Sequence, residues 1–493
     1  MKDELFQTIA NQDAVMLKED YLRRLKSPRQ VYIDSKLISD VSTEPSFQGA
    51  IDSIAEFYQL QELQPELFTY EENGRNYHIS TLAPKTREEL ARKRKSYKAI
   101  ADLSFGMLGR TPDFINSALA AMATNSHVLG AGQYADFSSN AVKYYERCRN
   151  ENLFVGHGAI NPQIDRGIQL GLQENKYCGV RCISHDAKGM VVRGAKMIVT
   201  LAPIADELLV FNMPGLISGD EDFALAFAVP VTAPGVKLIC RKPLNHNGYN
   251  LLDHPISNLF DESDAYMVFE DVFIPWSDVF VFRDVEKSNS FYDKTRIRNH
   301  NGHQGIVRGL AKAELLTGVA IELANKMGLG SFLNVQEQLG EMTSSLELVR
   351  GAILLAEEDA TLENDLLNPS IHAIQAIRYH FPKWYHRMVN IIQSLSAGSM
   401  LAVPHHGDFE NNNGPILKEA LRNKNISAED RCFLLNLAWD LSGDGFGQRQ
   451  MVYEKYHAGD PIRIAAMHYS HYPKGELFKH LDNIKRIYHD SLC

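Results

Sequence analysis

The stretch Ile306-Val-Arg-Gly-Leu-Ala-Lys-Ala-Glu-Leu-Leu-Thr-Gly-Val-Ala-Ile-Glu-Leu-Ala-Asn-Lys-Met327 sets the reading of the chain. Ile306, Leu310, Ala313, Leu316, Ala320, Leu323 and Met327 recur at steps of three or four, which lines one face of an α-helix for about six turns. Similar spacing returns over 336–364, 371–395 and 428–441. Four long helices, each with one apolar face, bury those faces against one another, so a four-helix bundle is expected from near His300 onward. Upstream the texture is different. Short β-rich runs at 153–160, 177–184, 190–200, 208–213, 223–229 and 266–274 are punctuated by Gly, Pro and Asp, as in a β-barrel or sandwich of roughly 130 residues.

The chain before Leu153 reads as helical. Thr86 and Glu89 have the spacing of a capping box. Thr111 precedes a helix with Pro112 at its first position, where the missing N–H is harmless, and a further helix is expected over 133–150. The fold class is therefore α+β: an N-terminal helical domain over 1–150, a central β-barrel over 151–290 and a C-terminal helical bundle over 291–493.

With 493 residues, 44% of them hydrophobic, the chain can bury a large core. Lys and Arg number 51 against 61 Asp and Glu, a formal charge of -10, so no positive field exists to gather nucleic acid or anionic lipid. The segment from Met1 to Asp13 mixes charges with Phe6 and Ile9 and does not read as a signal peptide; apolar runs such as 223–231 are too short to span a bilayer. The six cysteines form no CxxC pair. Cys178 and Cys182 would share one face of a strand, too far apart for a disulfide. A cytoplasmic protein with free thiols is expected. No GxGxxG follows a strand and no P-loop or HExxH is present. His468 with His471, and His405 with His406 and Asp408, lack the ligand number and spacing of a metal site, so no metal is expected.

Five segments carry chemistry: Gly109-Arg-Thr-Pro-Asp-Phe114, His157-Gly-Ala-Ile-Asn-Pro-Gln-Ile-Asp-Arg166, Gly194-Ala-Lys-Met-Ile-Val-Thr200, Val268-Phe-Glu-Asp-Val-Phe-Ile-Pro-Trp276 and Gly445-Phe-Gly-Gln-Arg449. In order and spacing, over nearly the whole chain, they resemble the 4-hydroxyphenylacetate 3-monooxygenase family, the oxygenase components of two-component phenol hydroxylases. The resemblance implies an acyl-CoA dehydrogenase-like fold with flavin between barrel and bundle. It implies FAD, used as FADH2 with O2, and hydroxylation ortho to a phenol OH through a flavin C4a-hydroperoxide. It also implies a separate NAD(P)H:flavin reductase, in keeping with the missing dinucleotide signature, and a homotetramer or dimer.

By the same resemblance, Arg110 and His157 are catalytic and contact substrate, together with Phe114 and Ala202. Flavin contacts fall to His157, Gln163, Ile164, Asp165, Arg166, Thr200, Phe446, Gly447, Gln448 and Arg449. These types suit the chemistry. A His bonded to the phenol oxygen favours phenolate, and an always-charged Arg stabilises an anion in a site closed to water. Arg166 can pair with a pyrophosphate, Thr200 can bond the isoalloxazine edge, and Gly445 and Gly447 permit close backbone approach.

Departures from the family pattern bear on substrate. Phe114 stands where the family has Tyr, and after Thr200 the run Leu201-Ala-Pro-Ile-Ala-Asp206 has no hydroxyl until Ser218. A phenol larger or less anionic than 4-hydroxyphenylacetate is expected, a tyrosine-derived intermediate first and a halogenated or simple phenol second. His303, in Asn299-His-Asn-Gly-His-Gln304, resembles the base of chlorophenol monooxygenases and is expected to act at a helix start on the phenol proton. A 4-hydroxybutyryl-CoA dehydratase-like enzyme would need a cysteine where Leu310 stands and others before Cys148. A non-catalytic flavin-binding protein would be expected to have lost some of Arg110, His157, Thr200 and Arg449.

Overall fold

Apolar faces decide the packing of the bundle. Helices Ile297–Lys326, Leu333–Glu358, Ile371–Ser396 and Ala428–Ser442 share one core that includes Ile306, Leu316, Val349, Ile374, Tyr385, Ile392 and Leu435. The computed structural model describes residues 17–246 and 250–491; Phe6, Ile9 and the rest of the first thirteen residues, and Cys493, lie outside them. Leu333–Glu358 stops short of the expected Asn364 because a hairpin follows, Thr361–Glu363 with Leu366–Asn368. Its turn residues, Asn364 and Asp365, take φ of 50° and 62°, the left-handed region these two side chains tolerate.

The β layer is two sheets that, among the described residues, no ladder closes into the barrel assigned to 151–290; of the two forms expected, barrel or sandwich, it is the sandwich. The larger runs in the order Lys36–Ile38, Gln30–Ile33, Val236–Cys240, Asp264–Pro275, Gly189–Thr200, Arg181–His185. The smaller runs Val279–Phe282, Leu225–Pro230, Glu207–Val210, Val155–Gly158. They pack through rings such as Phe227 and Phe269, edge to face at 5.8 Å. Between Val155–Gly158 and Gly189–Thr200 there is an isolated bridge, Ile160 to Met197, in place of a ladder. Pro162, two residues after Ile160, has no N–H to donate to a longer ladder.

Among the N-terminal helices, Arg87–Leu103 carries the expected Thr86–Glu89 capping box, and Pro112–Thr124 opens on Pro112. The third begins later than expected, at Phe137, where the Asp136 carboxylate accepts from Ser139 N. The all-helical reading of this part fails at two hairpins. Gln30–Ile33 pairs with Lys36–Ile38 and joins the large sheet, while Thr69–Glu72 pairs with Arg75–His78 across Asn73-Gly74. Cys178 precedes the strand Arg181–His185 instead of lying on it, and both Cys178 and Cys182 are free thiols.

The helix Pro112–Thr124 positions the site. It packs on Ile297–Lys326 on one side and on the strand Val155–Gly158 on the other, so its first turn lies where the bundle meets the β layer.

Candidate active site

Arg110 is fixed from its backbone outward. Glu262, fully buried, accepts hydrogen bonds from the N–H groups of Gly109 and, at 2.9 Å, of Arg110. A Cβ on Gly109 would stand 1.9 Å from Tyr453 Oη, so no larger residue fits without displacing that ring. The Arg110 guanidinium lies 4.3 Å over the Phe114 ring and donates to Tyr453 Oη at 2.6 Å and to the His457 carbonyl at 3.3 Å. His157, in the strand Val155–Gly158, brings its ring to 5.4 Å from Phe114 and stacks on Phe211 at 6.3 Å. Three of the expected residues, Arg110, Phe114 and His157, thus meet at one place.

Burial, and then the Arg110 charge, pull the His157 pKa down to about 3. The ring is therefore neutral at pH 7 and a weak base. This revises the expected division of labour. A neutral imidazole beside a guanidinium is suited to donate its N–H to a phenolate oxygen, with Arg110 supplying the charge that favours phenolate.

Thr200 and Arg449 also come together, through an acidic residue that the sequence reading passed over. Thr200 Oγ1 donates to Asp264 Oδ1 at 2.8 Å. Arg449 clasps the same carboxylate, Nε to Oδ2 at 2.9 Å and Nη2 to Oδ1 at 2.8 Å, and reaches Glu262 Oε2 at 2.8 Å. Arg241 closes the cluster on Asp264 and Asp261. Burial would raise the Asp264 carboxyl, but Arg449 and Arg241 outweigh it and hold it well below the usual carboxylate range. The available signal was the run Asp261-Glu-Ser-Asp264 at the head of a strand, where residues two apart share a face.

The other expected contacts are spread out. Gln163, Ile164, Asp165 and Arg166 form an exposed loop after the His157 strand. Phe446 and Gly447 face inward at the start of helix Gly445–Tyr456, whose N-cap is Asp444. A Cβ on Gly447 would lie 2.6 Å from the Asp440 carbonyl, so its smallness serves the approach of two helices. Gln448 is exposed and donates to the Ser442 carbonyl at 2.7 Å. Ala202 is buried in the turn Ala202–Ile204, which packs on the strand Asp264–Pro275.

His303 is not brought to this group. It lies in the second turn of Ile297–Lys326, buried, with Nε2 2.9 Å from Glu357 Oε1 and its ring edge-on to Tyr97 at 6.0 Å. The residues of that helix that line the cavity behind Phe114 are Asn301, Gly302, Gly305, Ile306, Arg308 and Gly309. His303 is held to a different wall by its carboxylate partner, and the role of phenol base is corrected on that ground.

Residues 18–281 match the family described as 4-hydroxyphenylacetate 3-hydroxylase N terminal, and residues 288–485 its C-terminal counterpart. The chain belongs to the 4-hydroxyphenylacetate 3-hydroxylase family. Within it, the chain is 36% identical over 460 residues to the 4-hydroxyphenylacetate 3-monooxygenase oxygenase component of Thermus thermophilus, covering 92% of this chain and 94% of that protein. It is 30% identical to the oxygenase component of a Rhodococcus 4-nitrophenol 2-monooxygenase, covering 92% of this chain and 88% of the relative. A crystal structure of a 4-hydroxyphenylacetate 3-monooxygenase oxygenase component, complexed with FAD and 4-hydroxyphenylacetate, superposes with a TM-score of 0.91 at 35% identity, over 96% of this chain and 98% of that one. The chain thus has an α+β, acyl-CoA dehydrogenase-like architecture.

Proposed function

We propose that this chain is the oxygenase component of a two-component monooxygenase that hydroxylates a phenol ortho to its OH. The convergence of Arg110, Phe114 and His157 at the junction of bundle and β layer carries this reading. The residues present fit FAD. Arg166 has no ion-pair partner among the described residues and is free to meet a pyrophosphate, and His157 offers a neutral, flat ring. Reduced FAD with O2 supplies the electrophilic oxygen atom. The chain's own residues prepare the ring that receives it. Arg110 favours the phenolate electrostatically, His157 donates to its oxygen, and Phe114 packs the ring and excludes water.

The reductase is separate, since the chain has no dinucleotide-binding signature. No helix among the described residues is long and apolar enough to cross a membrane; free thiols favour a cytoplasmic location. The last helix, Gly475–Asp490, exposes Leu477, Leu481, Ile484 and Tyr488 along one side, a stripe that a second copy would cover, so the assembly is a dimer or tetramer. A monomeric mass by light scattering would remove that part. The test of function is turnover of a panel of phenols with FAD, NADH and a generic flavin reductase, read by mass spectrometry. Catechol products support the reading, whereas rapid NADH oxidation by the pure protein alone would refute the two-component arrangement.

A further inference from the structure

Outside the Arg110–His157 group, two histidines and two carboxylates meet. His246 follows the strand Val236–Cys240, and His254 precedes the short helix Ser257–Phe260. Their rings lie nearly parallel, with centroids 3.7 Å apart. Asp444, the N-cap of helix Gly445–Tyr456, accepts the Phe446 N–H on Oδ1 at 2.8 Å and sets Oδ2 at 2.9 Å from His246 Nε2. One ring nitrogen of each His and one Asp444 oxygen lie within 4.8 Å of one another. Nitrogen and oxygen ligands of one Zn2+ stand about 2.0–2.2 Å from it, so small side-chain rotations let the three share an ion.

The second observation is charge. Asp440, in the last turn of helix Ala428–Ser442, is fully buried. Its Oδ2 accepts the N–H groups of Ile256 and Ser257 at 3.0 and 2.9 Å, while its Oδ1 accepts no hydrogen bond and faces His254 Nδ1 at 3.4 Å. Among the described residues, Asp440 and Asp444 have His254 and His246 at ion-pair distance and no Lys or Arg. Two buried carboxylates need a cation nearby. Two imidazolium rings stacked this closely would repel each other, whereas one divalent ion shared by both rings answers the carboxylates. A carboxylate behind a ligating His is also the usual means of fixing its tautomer and orientation.

We propose that His246, His254 and Asp444 bind one divalent cation of the Zn2+ class, with Asp440 as a positioning residue that takes the Nδ1–H of His254 and leaves Nε2 to the ion. Two imidazoles and one carboxylate suit Zn2+ better than Mg2+ or Ca2+, which take oxygen ligands. The ion ties the segment holding both histidines to the start of helix Gly445–Tyr456, in place of the metal-free chain expected from the sequence. The site stands apart from the phenol hydroxylase reading.

The test uses the full chain, treated with EDTA and desalted. ZnCl2 alone is titrated by calorimetry and CoCl2 alone by visible absorption. Wild type should bind one Zn2+ per chain, melt at a higher temperature with Zn2+ than without, and give with Co2+ the intense visible bands of a four-coordinate site. His246→Ala, at a half-buried loop position, should lose the Co2+ bands and the Zn2+-dependent rise in melting temperature. Asp440→Asn can keep both backbone bonds, but its NH2 donates to His254 Nδ1 and moves the ring proton to Nε2, so Zn2+ binding should weaken by about 10- to 100-fold. His468→Ala, outside the cluster, should bind as wild type does. No saturable binding by wild type overturns the proposal. So does undiminished binding by His246→Ala, which indicates capture by surface histidines. Should a variant fail to fold, the wild-type Co2+ spectrum still decides, because the weak bands of a six-coordinate aqua ion overturn the site.

Discussion

Replacing Glu262 with Gln isolates the residue that holds Arg110 in place. The Glu262 carboxylate is fully shielded from solvent. Oε1 accepts the N–H groups of Gly109 and Arg110, and Oε2 accepts Arg449 Nη1 at 2.8 Å. In the amide, the carbonyl can keep the two backbone bonds at about half their charge-assisted strength. The NH2 then faces Arg449, donor against donor. Losing a charge-assisted bond costs about 1.5–3 kcal/mol, and removing one partner of a buried pair costs about 3–5 kcal/mol. Asp264 still clasps Arg449 with two bonds, so the expected loss is about 2–4 kcal/mol. Urea denaturation reads that loss directly. The second readout is coupling. With its backbone anchor weakened, Arg110 is displaced from Phe114 and more hydrogen peroxide is released per NADH consumed by the reductase. A variant as stable and as well coupled as wild type would refute the claim that this carboxylate sets the position of Arg110.

His157→Ala removes one hydrogen-bond donor to the phenolate oxygen and should reduce product formation by about 10²-fold or more while NADH consumption through the reductase continues, seen as hydrogen peroxide in place of catechol; normal coupling would contradict its contact with the phenol. Phe114→Tyr should improve KM for 4-hydroxyphenylacetate several-fold, about the value of one hydrogen bond, because the added hydroxyl stands beside Arg110 and His157; an unchanged KM would count against that placement. His303→Ala should keep normal coupling and lose stability, since its partner is the buried Glu357; strong uncoupling would return His303 to the site. His78 and His457 are each pulled down to about 3, mainly by burial. Their contribution is fully present above the unfolded value near 6.5 and is lost as pH falls towards 3, at up to about 1.4 kcal/mol per group per pH unit. Unfolding free energies at pH 7.5 and 5.5 should show this decline, and a flat profile would contradict it.

Much of the fold was legible because helix faces advertise themselves. The 306–327 pattern and the Thr86–Glu89 box both stand in the structure. Short hairpins did not stand out against helical surroundings, although Asn73-Gly74 is itself a turn signature. Sheet closure depends on which strands pair over long distances; Pro162 marks a place where a ladder cannot continue, but it does not say which strand would have been the partner. In the site, Arg110, Phe114 and His157 were legible as motif residues. Glu262 and Asp264 were not, because a carboxylate's importance here lies in partners 152 and 185 residues distant. His303 was misplaced for a related reason. One helical position separates it from Gly302, and that step of about 100° turns it from the cavity to Glu357.

The most direct test of the central claim is transfer of an oxygen atom from isotopically labelled dioxygen. Purified protein, FAD, NADH, a generic flavin reductase and the phenol of the panel that is turned over fastest are combined under the labelled gas, and the product is analysed by mass spectrometry. The account predicts a catechol with one labelled oxygen ortho to the original OH, formed only when both protein and reductase are present and lost in Arg110→Met. Unlabelled product, or no dependence on the reductase, would contradict it.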